Sequence, residues 1–349
     1  MKYTVKRLLR RKLITLYQNT GIDKFLIRLG LFDNRINRVI DSLGKDSILD
    51  RDTLLKDIKT SYYKYLTTPE EYFFYKFENQ PDSYKSTFLS DKARIRALVK
   101  NDSEKLFIEI LSDKWKFYQS ARQYFKRAMM KVSNKSLYSD FEHFILRNPS
   151  IFVKPLSSSY GQGAHILENV NSTEIPQLFK QYRESGEWIF ESKIIQSTKM
   201  SIWNSSSVNT VRVPCFLING NFSILNPFIR TGREGAIIDN AGGGGIFACI
   251  DEESGKINSN GADELNNVYS NHPDSGVKFI GWQIPYWSEL IRLAEEIFYK
   301  CFPSHHYIGF DFALTEEGWI LIEGNWGQFV GQIASKKGIK KEFEQLFNK

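Results

Sequence analysis

The chain has 349 residues, 42% of them hydrophobic and 25% charged, with a formal net charge of +7. That length exceeds the usual single-core size, so two or three packed subdomains are expected, and the composition excludes a disordered chain. The longest apolar runs, such as 319–322, fall far short of the roughly 20 residues of a membrane span, and residues 1–13 lack the apolar core and cleavage site of a secretory signal, so a cytoplasmic protein is expected.

The chain opens on a basic cluster, Lys6, Arg7, Arg10, Arg11 and Lys12. Such a helix either makes peripheral contact with an anionic membrane or acidic substrate, or is a solvated face. From 1 to about 101 apolar residues recur at helical spacing, as in Leu8, Leu9, Ile14, Leu16 and Tyr17, then Leu54, Leu55, Ile58, Tyr62 and Leu66. Thr68 followed by Pro69, Glu70 and Glu71 is a helix start, with a cap, a proline at the first position and acids in the first turn. Past Asp113 a further helical stretch rich in Lys and Arg is expected to run to about Lys131.

Beyond that point strand signals take over, at 151–153, 188–190, 208–218, 222–229, 307–314 and 319–323. Asn219-Gly220-Asn221 reads as a hairpin turn and Thr315-Glu316-Glu317-Gly318 as another. Amphipathic helices are expected over 285–301 and 335–347, and the mixture of strands and helices predicts an α+β architecture. Cys215, Cys249 and Cys301 are far apart, without metal or disulfide spacing, and read as reduced core residues.

Two segments carry chemistry. In the first, Lys154 closes a short apolar strand and a loop follows, Ser157-Ser158-Ser159-Tyr160-Gly161-Gln162-Gly163. Its glycines let backbone N–H groups approach phosphate oxygens, serine hydroxyls add donors and Lys154 adds a fixed charge; an ordinary exposed turn is the alternative. The spacing matches neither GK[ST] nor GxGxxG. In the second segment, Asp311 and Glu323 lie on the two arms of an expected hairpin that would place them side by side, with Asn325 just beyond. Buried acids need a positive partner, and two carboxylates with an amide oxygen suit Mg²⁺; pairing with arginine is the alternative. Asp239-Asn240 precedes four glycines, Gly242 to Gly245, which either bring backbone close to a ligand or form a mobile connection. His165 and His272 stand alone and read as structural, and His305-His306 as a turn before a strand.

Taken together, these marks resemble the ATP-grasp superfamily, and more narrowly the sugar-transfer-associated ATP-grasp family of surface-polysaccharide biosynthesis, over roughly 105–345. The resemblance rests on Phe152-Val153-Lys154-Pro155, the segment from Glu191 to Gln196, Ser207-Val208-Asn209-Thr210-Val211-Arg212, the Asp239-Asn240 pair, His272-Pro273, and Asp311 with Glu323-Gly324-Asn325. It implies an ATP-grasp fold, two α+β subdomains clasping ATP, over 105–349, preceded by a helical region over 1–104. The subdomains would be 105–192 and 193–349. By the same resemblance Lys154 holds phosphates, Ser157 to Gly163 fold over them, and Lys114, with Lys116 second, supplies another phosphate lysine. Glu191 and the backbone of Ser192, Lys193 and Ile194 would meet adenine, and Gln196 would replace the usual acidic ribose ligand.

Asp311, Glu323 and Asn325 match the family's magnesium ligands. Arg212 and Arg230 would neutralise anionic intermediates unless they are structural partners of carboxylates, and Asn209, Asp239 and Asn240 would orient the acceptor. Many relatives carry an arginine two residues before the first metal acid; here that place is Gly309. This departure either shifts the burden to Arg212 and Arg230 or puts the carboxylate-activating chemistry in doubt. The implied activity uses ATP and Mg²⁺ to form an acylphosphate and then an amide, joining an amino acid or other carboxylate to a uronic acid or amino sugar. The alternatives are an ATP-grasp phosphotransferase acting on a sugar or hydroxyl, and a non-catalytic nucleotide-binding protein. Nucleic acid is not an expected partner, since no aromatic-basic interleaving marks an RNA module.

Overall fold

A computed structural model describes residues 30, 32–99, 110–156, 163–237, 239, 244–326 and 330–347. The described residues from 30 to 99, with 335–347, form one compact unit, and those from 110 to 334 form another. The basic cluster from Lys6 to Lys12 and the helical spacing at 8–17 lie outside the described residues. No helix among the described residues is long and apolar enough to cross a membrane.

The first unit is helical in its described residues: α1 (Asp33–Leu43), α2 (Arg51–Tyr65), α3 (Pro69–Phe74), α4 (Asp82–Lys85) and α5 (Asp91–Val99). α2 begins where the Asp50 carboxylate accepts the N–H groups of Asp52 and Thr53, and it stops at Leu66, which adopts a left-handed φ of 61°. Thr68 and Glu71 form a reciprocal capping box at the start of α3 with Pro69 in its first turn, the start that the sequence signals. Packing beneath these helices is aromatic: Tyr75 stacks on Phe88 at 4.6 Å, and Phe77 meets Phe88 edge-on at 5.4 Å.

The second unit holds two antiparallel sheets. The stretch expected to be a single helix over 113–131 divides into α6 (Lys114–Phe125) and strand β1 (Met129–Val132). Lys126, left-handed at φ 45°, ends the helix. Met129–Val132 then pairs residue by residue with β4 (Trp188–Ser192), and that tertiary pairing overrides the helical preference of Met and Lys. α7 (Tyr138–Arg147), β2 (Ser150–Pro155), β3 (His165–Glu168) and α8 (Ile175–Ser185) complete this part, with strand order β1-β4-β2-β3. Phe141, Ile145, Phe179 and Tyr182 of the helices pack on Ile151, Val153 and Phe190. Alternation along β2 and β4 therefore sends Lys154 and Glu191 to the opposite face.

The larger sheet has eight strands. After α9 (Thr198–Ser201) come β5 (Thr210–Ile218), β6 (Asn221–Ile224), β7 (Phe228–Thr231), β8 (Ile246–Cys249), β9 (Gly261–Ala262), β10 (Val268–Tyr269), α10 (Trp287–Cys301), β11 (Tyr307–Thr315) and β12 (Gly318–Asn325). The order is β10-β9-β8-β7-β5-β11-β12, with β6 paired to β5 alone. Asn219 and Gly220 take φ values of 52° and 80°, as a tight hairpin turn between β5 and β6 requires. The strand expected over 222–229 is two strands, because Asn226 turns left-handed at φ 56° and Pro227 follows it. α6 and α10 cover one face through Phe117, Phe125, Leu290, Ala294 and Phe298, against Val211, Val213, Ile229, Phe310, Phe312 and Leu321. The alternate residues, Thr210, Arg212, Arg230 and Asp311, face the other way. Cys215 and Cys249 are buried free thiols and Cys301 is a half-buried one.

The β11–β12 hairpin is irregular at one decisive point. From the turn, Thr315↔Gly318 to Phe312↔Leu321 pair in step, but Asp311 pairs with Glu323, so Ile322 is an extra, bulged residue. Without that bulge Glu323 would share the parity of Leu321 and point into the core.

The chain's tail also departs from expectation. The single helix predicted over 335–347 is two, α11 (Gly331–Ser335) and α12 (Lys340–Phe347), separated by Lys336 at φ 53°. Residues 335–347, counted by sequence with the second subdomain, lie in the helical unit instead. The Lys336 ammonium donates to the Phe74 carbonyl at 2.9 Å and the Lys340 N–H to that of Thr87 at 2.9 Å.

Gly324 sets how closely α6 lies on β12: a Cβ built there would stand 2.2 Å from the Phe117 ring. Gly324→Ala is expected to cost about 1–3 kcal/mol through overpacking, read as a shifted urea midpoint at unchanged slope.

Candidate functional site

On the open face of the larger sheet the charged residues of four adjacent strands meet. Asp311 is fully buried and stands in register with Arg212 on one side and Glu323 on the other. The Arg212 guanidinium grips it with Nε on Oδ1 and with a second nitrogen 2.7 Å from Oδ2. Arg230 adds a third contact at 2.9 Å to Oδ2, while its Nε lies 3.7 Å from Asp239. Thr210 fills the corner: its N–H donates to Asp239 at 3.0 Å, and its hydroxyl donates to Asp239 and accepts from Arg230 at 2.9–3.0 Å. Asn325 donates its amide to both Asp311 and Glu323, at 2.9 and 3.0 Å.

The titrations follow from these contacts. Burial alone would raise the Asp311 carboxyl, but Arg212 and Arg230 outweigh it and hold it below the usual carboxylate range. Burial would lower Arg230, yet the carboxylates of Asp311, Asp239 and Glu323 raise it. For Asp239 burial wins, and its carboxyl is raised against the pull of Arg230 and Thr210.

The smaller sheet presents a second charged group. The Glu191 carboxylate, only 4% exposed, pairs through Oε1 with Lys154 and through Oε2 with Arg127 at 2.5 and 2.8 Å. Those two cations hold its carboxyl below the usual range although burial pushes the other way. Arg127 then reaches across to the larger sheet, donating to the carbonyls of Leu321 at 2.8 Å and Ile322 at 3.4 Å. Lys114, in the first turn of α6, is near enough to feel Glu323, Lys154 and Glu191; burial is the main reason its ammonium is lowered, and Lys154 adds to it.

The structure thus brings Lys114, Lys154, Glu191, Arg212, Arg230, Asp239, Asp311, Glu323 and Asn325 into two facing clusters joined by Arg127. Other expected residues serve the fold. Gln196 donates to the carbonyls of Asn204 and Ser207 at 2.9 and 2.6 Å and accepts from the Asn209 backbone and side chain. Its amide is consumed in shaping that turn, which leaves nothing for a ribose. Asn209 is fully buried and spends its NH₂ on Gln196, Met200 and Asn204, so it does not present that group to an acceptor.

Glu191, expected at adenine, is instead the counter-ion of Lys154 and Arg127. The N–H groups of Ser192 and Lys193 already donate to Ala128 and Ser150, and the Lys193 ammonium pairs with Glu168 at 3.1 Å. Ile194 is half-buried just past them. Lys116 is exposed, because two residues along a helix turn the side chain roughly 200° away from that of Lys114. Ser157, Ser158, Ser159, Gly161, Gln162 and Asn240 lie outside the described residues. Gly163 is left-handed at φ 77°, and its missing Cβ leaves 3.0 Å to Pro155. His272 accepts the Asp274 N–H of its own turn at Nδ1, and its Nε2 lies 2.9 Å from the carbonyl of Gly232, forty positions earlier.

Sequence reading missed Arg127, since nothing local separates it from the neighbouring Arg122 and Lys126. It also could not say what Gly309 permits: a Cβ there would stand 3.2 Å from the Arg212 side chain, whose stem crosses the space that a larger residue would fill. Two open cavities of about 820 and 800 Å³ flank β1 and share Ala128, Met129 and Phe144, but neither is lined by Lys154, Asp311 or Glu323.

The donor set fits a divalent cation. Among the described residues no three His, Cys, Asp or Glu side chains gather at one point. Asp311, Glu323 and the Asn325 amide, once flipped to present its oxygen, nonetheless form the hard-oxygen set that suits Mg²⁺ with water and phosphate completing its shell.

A family model described as sugar-transfer associated ATP-grasp matches residues 94–348. Among solved structures, the D-alanine–D-alanine ligase of Helicobacter pylori is 13% identical, with 68% of this chain and 60% of that one covered and a TM-score of 0.41. D-alanyl-alanine synthetase A of Vibrio cholerae is 15% identical, covering 73% and 65% with a TM-score of 0.38. N5-carboxyaminoimidazole synthetase of Staphylococcus aureus complexed with ADP is 12% identical, covering 63% and 45% with a TM-score of 0.38. The chain spans less than two thirds of the length of each. No match was found among curated proteins.

Arg212→Met would leave the buried Asp311 short of its main partner, with an expected loss of about 3–5 kcal/mol at neutral pH. The depressed Asp311 titration means that this stability is present above the unfolded value of 3.8 and is lost as pH falls below it. The gap between wild type and variant in denaturant titrations should therefore narrow towards acid, where the stranded carboxyl takes up a proton.

Proposed function

Because the chain belongs to the sugar-transfer associated ATP-grasp family, we propose that it is an ATP- and Mg²⁺-dependent carboxylate-amine ligase. Its substrates would be small molecules: either a uronic acid, as the carboxylate, with an amino acid as the amine, or an amino sugar, as the amine, with an amino acid or other carboxylate, the sugar in each case belonging to a surface polysaccharide. The observation that carries this reading is the facing of two clusters of opposite character. Lys154 stands on the smaller sheet, Lys114 at the start of α6 lies close to both it and Glu323, and the Asp311, Glu323 and Asn325 donors stand on the larger sheet, tied to the smaller one by Arg127.

In this reading Lys154 and Lys114 hold the phosphates of the nucleotide, and Asp311, Glu323 and Asn325 hold the cation. The nucleotide supplies the phosphoryl group that activates the carboxylate, and Mg²⁺ supplies charge neutralisation. Arg212 and Arg230 lie immediately beside Asp311. Beside Asp311 both guanidiniums would face the negative charge of an activated carboxylate and, later, of the tetrahedral centre formed by the amine, while a bound cation would supply further neutralisation. Fixed charges of this kind, already aimed before reaction, are the usual source of rate in such transfers. Asp239 holds Arg230 from the far side and so sets where that charge points.

The Gly309 departure bears on this reading, since it removes an arginine that many relatives place there. The stem of Arg212 crosses beside that glycine, which supports Arg212 as the replacement and favours ligation over simple phosphotransfer. The test is an assay of ADP release over amino acids and nucleotide-linked uronic acids and amino sugars, with mass spectrometry of the products. Release that needs both carboxylate and amine, with an amide product, is expected; a phosphorylated sugar formed without amine would replace ligation by phosphotransfer. Lys154→Met should lower turnover by about 10²–10³-fold, as loss of one aimed charge does elsewhere. An unchanged rate would remove Lys154 from the phosphate site.

A further inference from the structure

Arg127 belongs to neither set of residues that would touch nucleotide or cation, yet its side chain ties them together. Its side chain is 5% exposed. One end neutralises Glu191, the carboxylate that also holds Lys154. The other end reaches Leu321 and Ile322, where the extra residue of β12 breaks the ladder and leaves carbonyls to be satisfied. That break is what turns Glu323 from the core face to the face of Asp311.

We propose that Arg127 is a positioning residue with two separable effects: it lets Lys154 leave Glu191 for an anionic phosphate, and it fixes the bulge that aims Glu323. This rests on the nucleotide and cation reading given above. The first effect is electrostatic. If Lys154 were the only partner of buried Glu191, moving it to a phosphate would strand a carboxylate out of water, at a large cost. With Arg127 in place the carboxylate keeps two guanidinium N–H donors on Oε2 and a neutralising charge, so Lys154 can leave Oε1 at a smaller cost. The second effect is steric and directional. The guanidinium donates to successive carbonyls at the bulge, and without those bonds β12 can slip into regular register, which carries Glu323 to the wrong face.

The two effects predict different rescue. Binding of ATP would be measured by calorimetry with and without Mg²⁺ for wild type, Arg127→Met, Arg127→Lys, Glu191→Gln and the double variant Arg127→Met with Glu191→Gln. Arg127→Met should weaken metal-free ATP binding roughly tenfold, within the range of coupling for residues that share one ion-pair network, and should also abolish the tightening that Mg²⁺ gives. The double variant should recover metal-free affinity, because no carboxylate remains to trap Lys154, while the response to Mg²⁺ stays lost. Arg127→Lys keeps the charge but cannot span both partners, so it should bind metal-free ATP as wild type does and respond weakly to Mg²⁺. It also keeps the test open if Arg127→Met does not fold.

A purely structural Arg127 would show both properties falling together with no rescue by Glu191→Gln, and that result would overturn the proposal. So would wild-type behaviour in both Arg127→Lys and Arg127→Met. Failure of the wild-type protein to bind ATP under any condition would instead sink the nucleotide reading itself.

Discussion

A carboxylate sealed from water must be given positive charge from within the protein, and the Asp311 carboxylate imposes that demand on every strand around it. β5 answers with Arg212 directly opposite, and β7, one strand further, contributes Arg230. Each guanidinium brings its own requirements. The stem of Arg212 needs the empty space above Gly309, and Arg230 needs Asp239 and Thr210 to complete its hydrogen bonds. The middle of the larger sheet is therefore a charge network first and a set of candidate ligands second. A network of this kind contributes little to net stability against an apolar core of equal volume. What it provides is a group of charges already gathered on one face of the sheet, within a short rearrangement of an arriving anion or cation.

The smaller sheet repeats the logic with one buried acid, Glu191, and two bases. Its alternation puts helix-packing residues on one face and the charged side chains on the other, so Lys154 and Glu191 are exposed to each other by the pleat itself. Arg127 extends the arrangement across to β12. One guanidinium thereby makes the geometry of a lysine on the first sheet depend on the geometry of a carboxylate on the second. Close packing reinforces the link from beneath, where Phe117 of α6 occupies the space that a side chain at position 324 would need. The same helix carries Lys114 at its start, so a helix seated against β12 also sets how near that lysine comes to Glu323.

Much of this was legible in the chain of residues. The helical start at Thr68, the hairpin at Asn219-Gly220 and most long strands follow from local rules of capping, turn conformation and apolar alternation, and each appears in the structure. The short strands β1, β3, β8, β9 and β10 were not legible. Met129-Met130-Lys131-Val132 has no strand-like alternation and is extended only because β4 lies beside it. Gln196 and Asn209 are expected at the ribose and the acceptor because of where they fall in the family's motifs. Their actual partners are backbone carbonyls of a turn whose shape no local pattern announces.

By itself the sequence determined the chemical inventory and the local backbone: an α+β chain with Lys154 at the end of a strand and Asp311, Glu323 and Asn325 on the two arms of a hairpin. These depend on spacing within a few residues, where sterics and hydrogen bonding act through the chain. The expected hairpin also sets Asp311 and Glu323 side by side, but only the tertiary structure supplied the bulge that makes it so, because regular pairing from the Thr315–Gly318 turn would set Asp311 against Ile322 and drive Glu323 into the core. The bulge that prevents this draws on Arg127, nearly two hundred positions earlier in the chain (194 to Leu321). Contacts across such separations are chosen by packing and charge balance in the folded whole, and no periodicity in the residues records them.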